Sequence, residues 1–312
     1  MFDLLIIGGG PASTAGAVYA ARKLLKTAVV AGEWGGQSTV SENIKNWIGT
    51  NNISGANLGK SFRDHVREYE GDILKVYEGE LVTSIEVRGD FDFKVTTNKG
   101  TVIETRSILL ATGSGRRKLE AKGADTFENK GLTYCASCDG PLFTDMDVVV
   151  AGGGNAGFET ALQLLAYCKS VTMVHRSATF KADDITVERT KQNPKFKVIL
   201  NTDILSVNGN MFVESLTIKN KDTGEESTIP ASGVFVEIGQ IPNTDFVANV
   251  VALDQNKKIV VDPMTQRANV KGIWAAGDCT NGLYHQNNIA AGDAVKALED
   301  IYIALHREAP SK

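Results

Sequence analysis

The feature that most constrains this chain is a glycine-rich string that occurs twice. Residues 8–13 read GGGPAS and residues 152–157 read GGGNAG, 144 positions apart. Each string follows a short apolar run, residues 3–7 and 147–151, and opens a run of helical character, through Arg22 and over 158–167. Strand, tight turn and helix are the reading in both cases. A second strand-like run follows each, at 27–31 and 170–174. One glycine string can arise wherever a helix packs closely on a strand. Two, each continuing into a further strand, imply a duplicated dinucleotide-binding unit, because a turn without Cβ atoms lets backbone approach a pyrophosphate at the helix start.

The intervening segments fit two α/β domains. Residues 75–111 read as short alternating strands, a β-meander on the first unit, and 204–239 repeat that pattern on the second. The strand at 272–278 and the helix at 289–305 then complete the first domain. The expected layout is a domain of residues 1–115 with 246–312, and a second of 116–245 inserted into it. Candidate hinges are 113–115 and 239–244. With 42% hydrophobic residues the chain can bury a core in each domain. Lys and Arg number 33 against 37 Asp and Glu, a formal charge of −4 without a basic block, which argues against nucleic acid. No apolar run is long enough to span a bilayer, and the opening lacks the form of a signal peptide.

In the first fingerprint Gly8 permits the tight turn, Gly10 the close approach, and Ser13 is small enough to keep helix and strand together. Glu33, 20 positions after Ser13, is placed to accept hydrogen bonds from a ribose. In the second, Gly152, Gly154 and Gly157 complete GxGxxG, and the following strand ends in His175 and Arg176 rather than an acid. An acid there favours NAD and a cation the 2′-phosphate of NADP, so NADPH is preferred, with NADH the alternative.

The string YCASCDG at 134–140 is the most informative. Two residues between cysteines let a turn at a helix start bring Cys135 and Cys138 within bonding distance, and a helix dipole there raises the thiolate fraction. Asp139 adds a proton donor and acceptor. Structural zinc needs four ligands, and Cys168, Cys279 and His175 have no ligand-type spacing. Cys168, in a predicted helix, and Cys279, after a strand, are read as small packing residues. His65 and His306 are read as surface helix residues. Four cysteines in 312 residues, two of them three positions apart, suit a cytoplasmic redox pair.

Together these strings resemble the low-molecular-weight thioredoxin reductases, with the flavin domain of the alkyl hydroperoxide reductase flavoprotein close behind. The resemblance rests also on GGQ at 35–37, ATG at 111–113, GQIPNT at 239–244, AAGDC at 275–279 and HQNNIAAG at 285–292. It implies an α/β fold of two Rossmann-like three-layer (β/β/α) FAD/NAD(P)-binding domains, the second inserted into the first. It implies FAD along Gly8, Gly10, Ser13 and Glu33, with Gly35, Gly36, Gln37, Asn46, Gly113, Asp278 and Gln286 as further contacts. It implies that Cys138 lies against the flavin, that the Cys135/Cys138 disulfide exchanges with thioredoxin or a similar small redox protein, and that Asp139 serves as acid and base. Alternating domain arrangements and a homodimer are usual in this family. CDGPLF and FKAD resemble the hydroperoxide-reductase branch, whose N-terminal thioredoxin-like domains this sequence lacks, so an external carrier is expected.

The departures bear on the electron donor. NADPH-dependent members carry HRRxxxR where this chain has His175, Arg176, Ser177 and Lys181. An ammonium lacks the bidentate fork of a guanidinium, so phosphate affinity should fall. Lys45 precedes Asn46, and His285-Gln286-Asn287 replaces the usual RQA. The alternatives are an NADPH-independent enzyme fed by reduced ferredoxin, a dithiol oxidase using oxygen, and a non-enzymatic flavin-binding redox sensor.

Overall fold

The computed structural model describes residues 1–41 and 44–308, apart from the side chains of Val40, Ser137 and Cys138. The chain begins β1 (Leu4–Ile7), α1 (Pro11–Arg22), β2 (Thr27–Ala31), α2 (Gly55–Arg67), β3 (Leu74–Glu78), β4 (Val82–Gly89), β5 (Asp92–Thr97), β6 (Val102–Thr105), β7 (Ile108–Leu110) and β8 (Ser114–Arg116). It continues α3 (Ala124–Phe127), β9 (Leu132–Thr133), α4 (Ala136–Asp139), β10 (Asp147–Ala151), α5 (Asn155–Leu164), β11 (Ser170–Val174), α6 (Asp184–Lys191) and β12 (Phe196–Ile199). The rest is β13 (Thr202–Gly209), β14 (Val213–Asn220), β15 (Glu226–Pro230), β16 (Gly233–Val236), β17 (Gln240–Pro242), β18 (Ile273–Ala275) and α7 (Asn287–Arg307).

Two compact units result, Met1–Gly115 with Ile241–Lys312, and Arg116–Gln240. The sequence reading puts the return crossing at 245/246. Residues 241–245 belong instead with the first unit, where Asn243 donates through Nδ2 to Thr112 O (2.9 Å) and through its amide to Gly113 O (3.1 Å).

The first unit is built on a parallel sheet of order β18-β7-β1-β2-β3. Every residue of β1 and β2 is buried, as expected of parallel strands covered on both faces. One face carries α1, α2 and α7, with a core including Leu4, Val29, Leu58, Leu109 and Leu298. Small residues on α1 (Ala17, Ala20, Ala21) and α7 (Ala290, Ala294, Ala297) are buried in that same core. The other face is covered by the antiparallel sheet β4-β5-β6, through Ile85, Phe93, Val95 and Ile103. Each such large side chain, fully buried, contributes about 1.5–3 kcal/mol.

The second unit repeats the plan with the parallel order β12-β11-β10-β16-β9. Phe158, Ala161 and Leu164 of α5 and Val187 of α6 fill one face, and Val207, Val213, Leu216 and Ile218 of the β13-β14-β15 sheet fill the other. Both units are thus three-layer β/β/α folds with parallel central sheets.

Three local expectations change. The meander is confined to β4–β6, because β3 and β7 pair with β2 and β1 in the parallel sheet. Likewise β16 joins β10 in the second parallel sheet rather than extending the meander. The helix expected at 158–167 spans Asn155–Leu164, so Cys168 lies beyond it. The Ala166 and Tyr167 amides donate to Gln163 O (3.2 Å) and Leu164 O (3.1 Å), which closes the residues after Leu164 into a turn, and Asp145 donates its amide to Tyr167 O at 3.0 Å.

Candidate functional site

In the first unit the carboxyl ends of β1, β2, β7 and β18 open onto a cavity of about 770 Å³. Chain order reverses beside β1, which is flanked by β2 on one side and β7 on the other. Open α/β sheets bind ligands at such a switch point. The glycine turn gives the cavity its floor. Gly8 has φ +136°, and a Cβ there would lie 2.1 Å from Ala111 O, so only glycine fits. Gly10, by contrast, faces open space, with nothing within 4 Å of where its Cβ would stand. It is also the N-cap of α1, which has no side-chain cap, so the helix start is left for an anion.

Of the residues expected around the first fingerprint, Gly8, Gly10, Glu33, Gly36, Gln37, Gly113 and Asp278 line this one cavity. The others stand behind it. Ser13 is fully buried and donates its hydroxyl to Gly8 O at 2.7 Å, closing the turn. Gly35 has φ +95°, and a Cβ there would come within 2.9 Å of the Gly59 Cα. Asn46 Nδ2 donates to Gln286 Oε1 at 3.2 Å, and Asn288 Nδ2 donates to Asn46 O at 2.8 Å, so these residues pin one loop to the start of α7.

Lys258 Nζ lies 2.8 Å from His285 Nε2. An ammonium only donates, so Nε2 accepts and the ring proton sits on Nδ1, 3.5 Å from Asp278 Oδ1. Sequence reasoning missed Lys258, Asn98, Asn243 and Asn287. Asn98 Oδ1 accepts the Leu81 amide at 2.9 Å, and Asn287 Oδ1 accepts the Ser38 hydroxyl at 3.1 Å. The PNT and HQNN strings were the available signals for two of these residues.

The second unit has its own switch point, between β10 and β16. A Cβ on Gly152 (φ +121°) would meet Glu237 O at 2.2 Å, and one on Gly157 would meet Gly152 O at 2.2 Å. Gly154 is the uncapped N-cap of α5. His175 Nδ1 accepts the Gly153 amide at 3.1 Å, and Nε2 lies 3.1 Å from Thr179 O, so Nε2 carries the proton and both ring nitrogens are engaged. The ring also stacks on Phe180. The cation at this strand end is therefore Arg176, which is exposed, as is Lys181. Lys181 donates its amide to Gly153 O at 3.1 Å. At the end of β16, burial pushes the Glu237 carboxyl up to about 6. The Thr160 hydroxyl, donating to it at 2.8 Å, and the charge of Arg116 oppose that rise, and Glu159 adds to it.

Cys135 is disulfide-bonded and is the N-cap of the single turn α4. The side chain of Cys138 lies outside the described residues. Asp139 donates its amide to Cys135 O at 3.0 Å. Its carboxylate accepts the hydroxyl of Thr133, which in turn accepts the Cys135 amide at 3.3 Å. Thr133 carried no signal in sequence. The glycine of CDG is fixed by packing, since a Cβ on Gly140 would stand 2.1 Å from the Tyr167 hydroxyl oxygen. Phe143, in the same string, packs edge-on against Phe235 at 5.3 Å.

Cys168 and Cys279 are free and fully buried, as small packing residues. Burial pushes the Cys168 thiol up to about 11 and also raises that of Cys279. His65 and His306 are exposed on helices. No helix among the described residues is long and apolar enough to cross a membrane.

Two glycine turns at parallel-sheet switch points, with a disulfide-bonded cysteine beside an acid, define a dinucleotide-binding disulfide oxidoreductase fold. Residues 2–294 match the model of the pyridine nucleotide-disulphide oxidoreductase family, and the chain belongs to that family, which uses FAD and NAD(P)H. The chain is 35% identical over 296 residues to an NADH dehydrogenase of Bacillus subtilis (strain 168), covering 95% of this chain and 57% of that protein. It is 36% identical, with the same coverages, to an alkyl hydroperoxide reductase protein of Staphylococcus aureus (strain MRSA252). It thus spans little more than half the length of these curated relatives. Among solved structures, a thioredoxin reductase from Streptococcus pyogenes superposes with a TM-score of 0.87 at 32% identity, covering 98% of each chain.

Proposed function

We propose that this chain is a flavoprotein disulfide reductase that takes an electron pair from a nicotinamide nucleotide, NADPH ahead of NADH, and delivers it through Cys135 and Cys138 to thioredoxin or a similar small carrier. The observation that carries the reading is the disulfide-bonded Cys135 at the start of α4, hydrogen-bonded through Thr133 to Asp139. The full-length likeness to a thioredoxin reductase supports it.

The cavity of the first unit fits the ADP half of FAD. Gly8 and Gly10 open the helix start to a pyrophosphate, Glu33 stands at the cavity wall for a ribose, and Gly36, Gln37, Gly113 and Asp278 hold the remainder. Ser13, Gly35, Asn46 and Gln286 shape that cradle. FAD bound there would supply the hydride-accepting chemistry that side chains lack. In the second unit Gly152, Gly154 and Gly157 form the nucleotide turn, His175 braces it, and Arg176 with Lys181 supplies the charge for a 2′-phosphate. Asp139 takes and returns the proton that accompanies thiol exchange. A cytoplasmic homodimer completes the reading.

A second reading, with reduced ferredoxin as donor or oxygen as acceptor, draws on the loss of guanidinium groups: Ser177 brings no charge, Lys181 offers an ammonium, and Arg176 is the single guanidinium of the motif. Anaerobic addition of NADPH, NADH and reduced ferredoxin in turn to the FAD-loaded protein separates the two. Flavin bleaching by NADPH, with thiols appearing on added thioredoxin, is expected. Bleaching by ferredoxin and by neither nucleotide would select the second reading.

A further inference from the structure

The edge strand β9 of the second unit ends on Thr133, two positions before Cys135. Thr133 is buried and sits in parallel register with Phe235 of β16, so the sheet fixes its backbone. Its β-branch restricts the side-chain rotamer. The hydroxyl has one proton and two acceptor lone pairs. The Cys135 amide can only donate and takes a lone pair at 3.3 Å, which leaves the proton for Asp139 Oδ2. Asp139 closes the circuit by donating its amide to Cys135 O at 3.0 Å. Strand end, cysteine and acid are therefore joined by three hydrogen bonds around one helical turn.

We propose that Thr133 is a positioning residue for disulfide exchange: its hydroxyl holds the Asp139 carboxylate against the Cys135 turn, in place to accept and return the exchanging proton. The inference rests on the reading of Cys135 and Cys138 as the redox pair. In the forward step, one sulfur of the reduced pair enters as thiolate and breaks the substrate S–S bond. A mixed disulfide forms and a first substrate thiolate leaves. The second sulfur then gives its proton to Asp139 and attacks the mixed disulfide. The pair closes, and Asp139 passes that proton to the second leaving sulfur. The substrate disulfide is reduced by two electrons and the thiol pair is oxidised by two. Without the hydroxyl the carboxylate loses a charge-assisted hydrogen bond and its fixed orientation.

The test uses FAD-loaded protein reduced with dithiothreitol, freed of excess reagent under anaerobic conditions and mixed with bis(2-hydroxyethyl) disulfide. Acid quenching and intact mass spectrometry follow the mixed disulfide and its resolution. Thr133→Val should slow resolution by about tenfold, less than the roughly 10²-fold or more for loss of the acid–base group itself because the Asp139 carboxylate remains, while Thr133→Ser stays within about twofold of the parent. In the Asp139→Asn background, Thr133→Val should add less than about twofold, because coupled residues are not additive. Thr133→Ala enters the same cycle if the valine variant does not retain FAD. Full-rate resolution without the hydroxyl overturns the proposal. So does a serine variant as slow as valine, or an equal slowing with and without Asp139. Failure of the underlying reading has a different signature: the parent itself forms no mixed disulfide.

Discussion

Glu237 offers a test of the second nucleotide crevice that needs no ligand. Its carboxyl stands at the end of β16, and burial moves it from 4.5 up to about 6 despite the Thr160 hydroxyl and Arg116. Between those values the folded chain binds more protons than the unfolded one, so stability falls as pH rises, and above about 6 the whole penalty is in place. At about 1.36 kcal/mol per pH unit, a rise of that size amounts to about 2 kcal/mol. Glu237→Gln removes the charge and keeps an oxygen to accept the Thr160 hydroxyl. The second unit of the variant should therefore match the parent near pH 4.5 and exceed it by up to about 2 kcal/mol at pH 8. Hydrogen exchange of peptides from β10 and β16, compared between variant and parent at each pH, reads this as up to about 30-fold slower opening at pH 8. An identical ratio at the two pH values would refute the reasoning.

Three further outcomes are expected. Gly10→Ala has room for its Cβ and no positive φ, so the chain should fold while FAD binds about 10- to 100-fold more weakly, as charged-group hydrogen bonds at the helix start are displaced; equilibrium dialysis measures it. Arg176→Ala should raise the KM for NADPH more than for NADH, and equal changes in steady-state kinetics would remove that residue from the phosphate site. Cys168 and Cys279, buried and with raised thiol pKa values, should take up iodoacetamide at pH 8 at least about 100-fold more slowly in the folded protein than in urea, as followed by peptide mass spectrometry.

The parts legible in sequence are those that local chemistry dictates. Gly8 and Gly152 sit where a Cβ would strike a carbonyl about 2 Å away, so the turns announce themselves. The fully buried strand β1 reads as an unbroken apolar run, and β2 does so after Thr27. Short strands such as Ile108–Leu110 do not declare their sheet, because three apolar residues suit a parallel or an antiparallel partner equally. Contacts set by distant chain were hidden. Ser38 meets Asn287 across 249 positions, and Lys258 meets His285 only once the end of the first unit has folded back. From its place after the second strand, His175 reads as a nucleotide contact. Its bond to the Gly153 amide, formed when the turn closes on the strand end, makes it a brace. Thr133 was invisible for a related reason: nothing in its own neighbourhood distinguishes a strand-end threonine from one whose hydroxyl spans to Asp139.

Counting the electrons that each FAD-loaded polypeptide accepts is the most direct check on whether flavin and vicinal cysteines form one redox unit. Anaerobic titration with dithionite should require four electrons per chain in the parent, two for the flavin and two for the disulfide, and two in Cys135→Ser. Two electrons in both proteins would contradict the account.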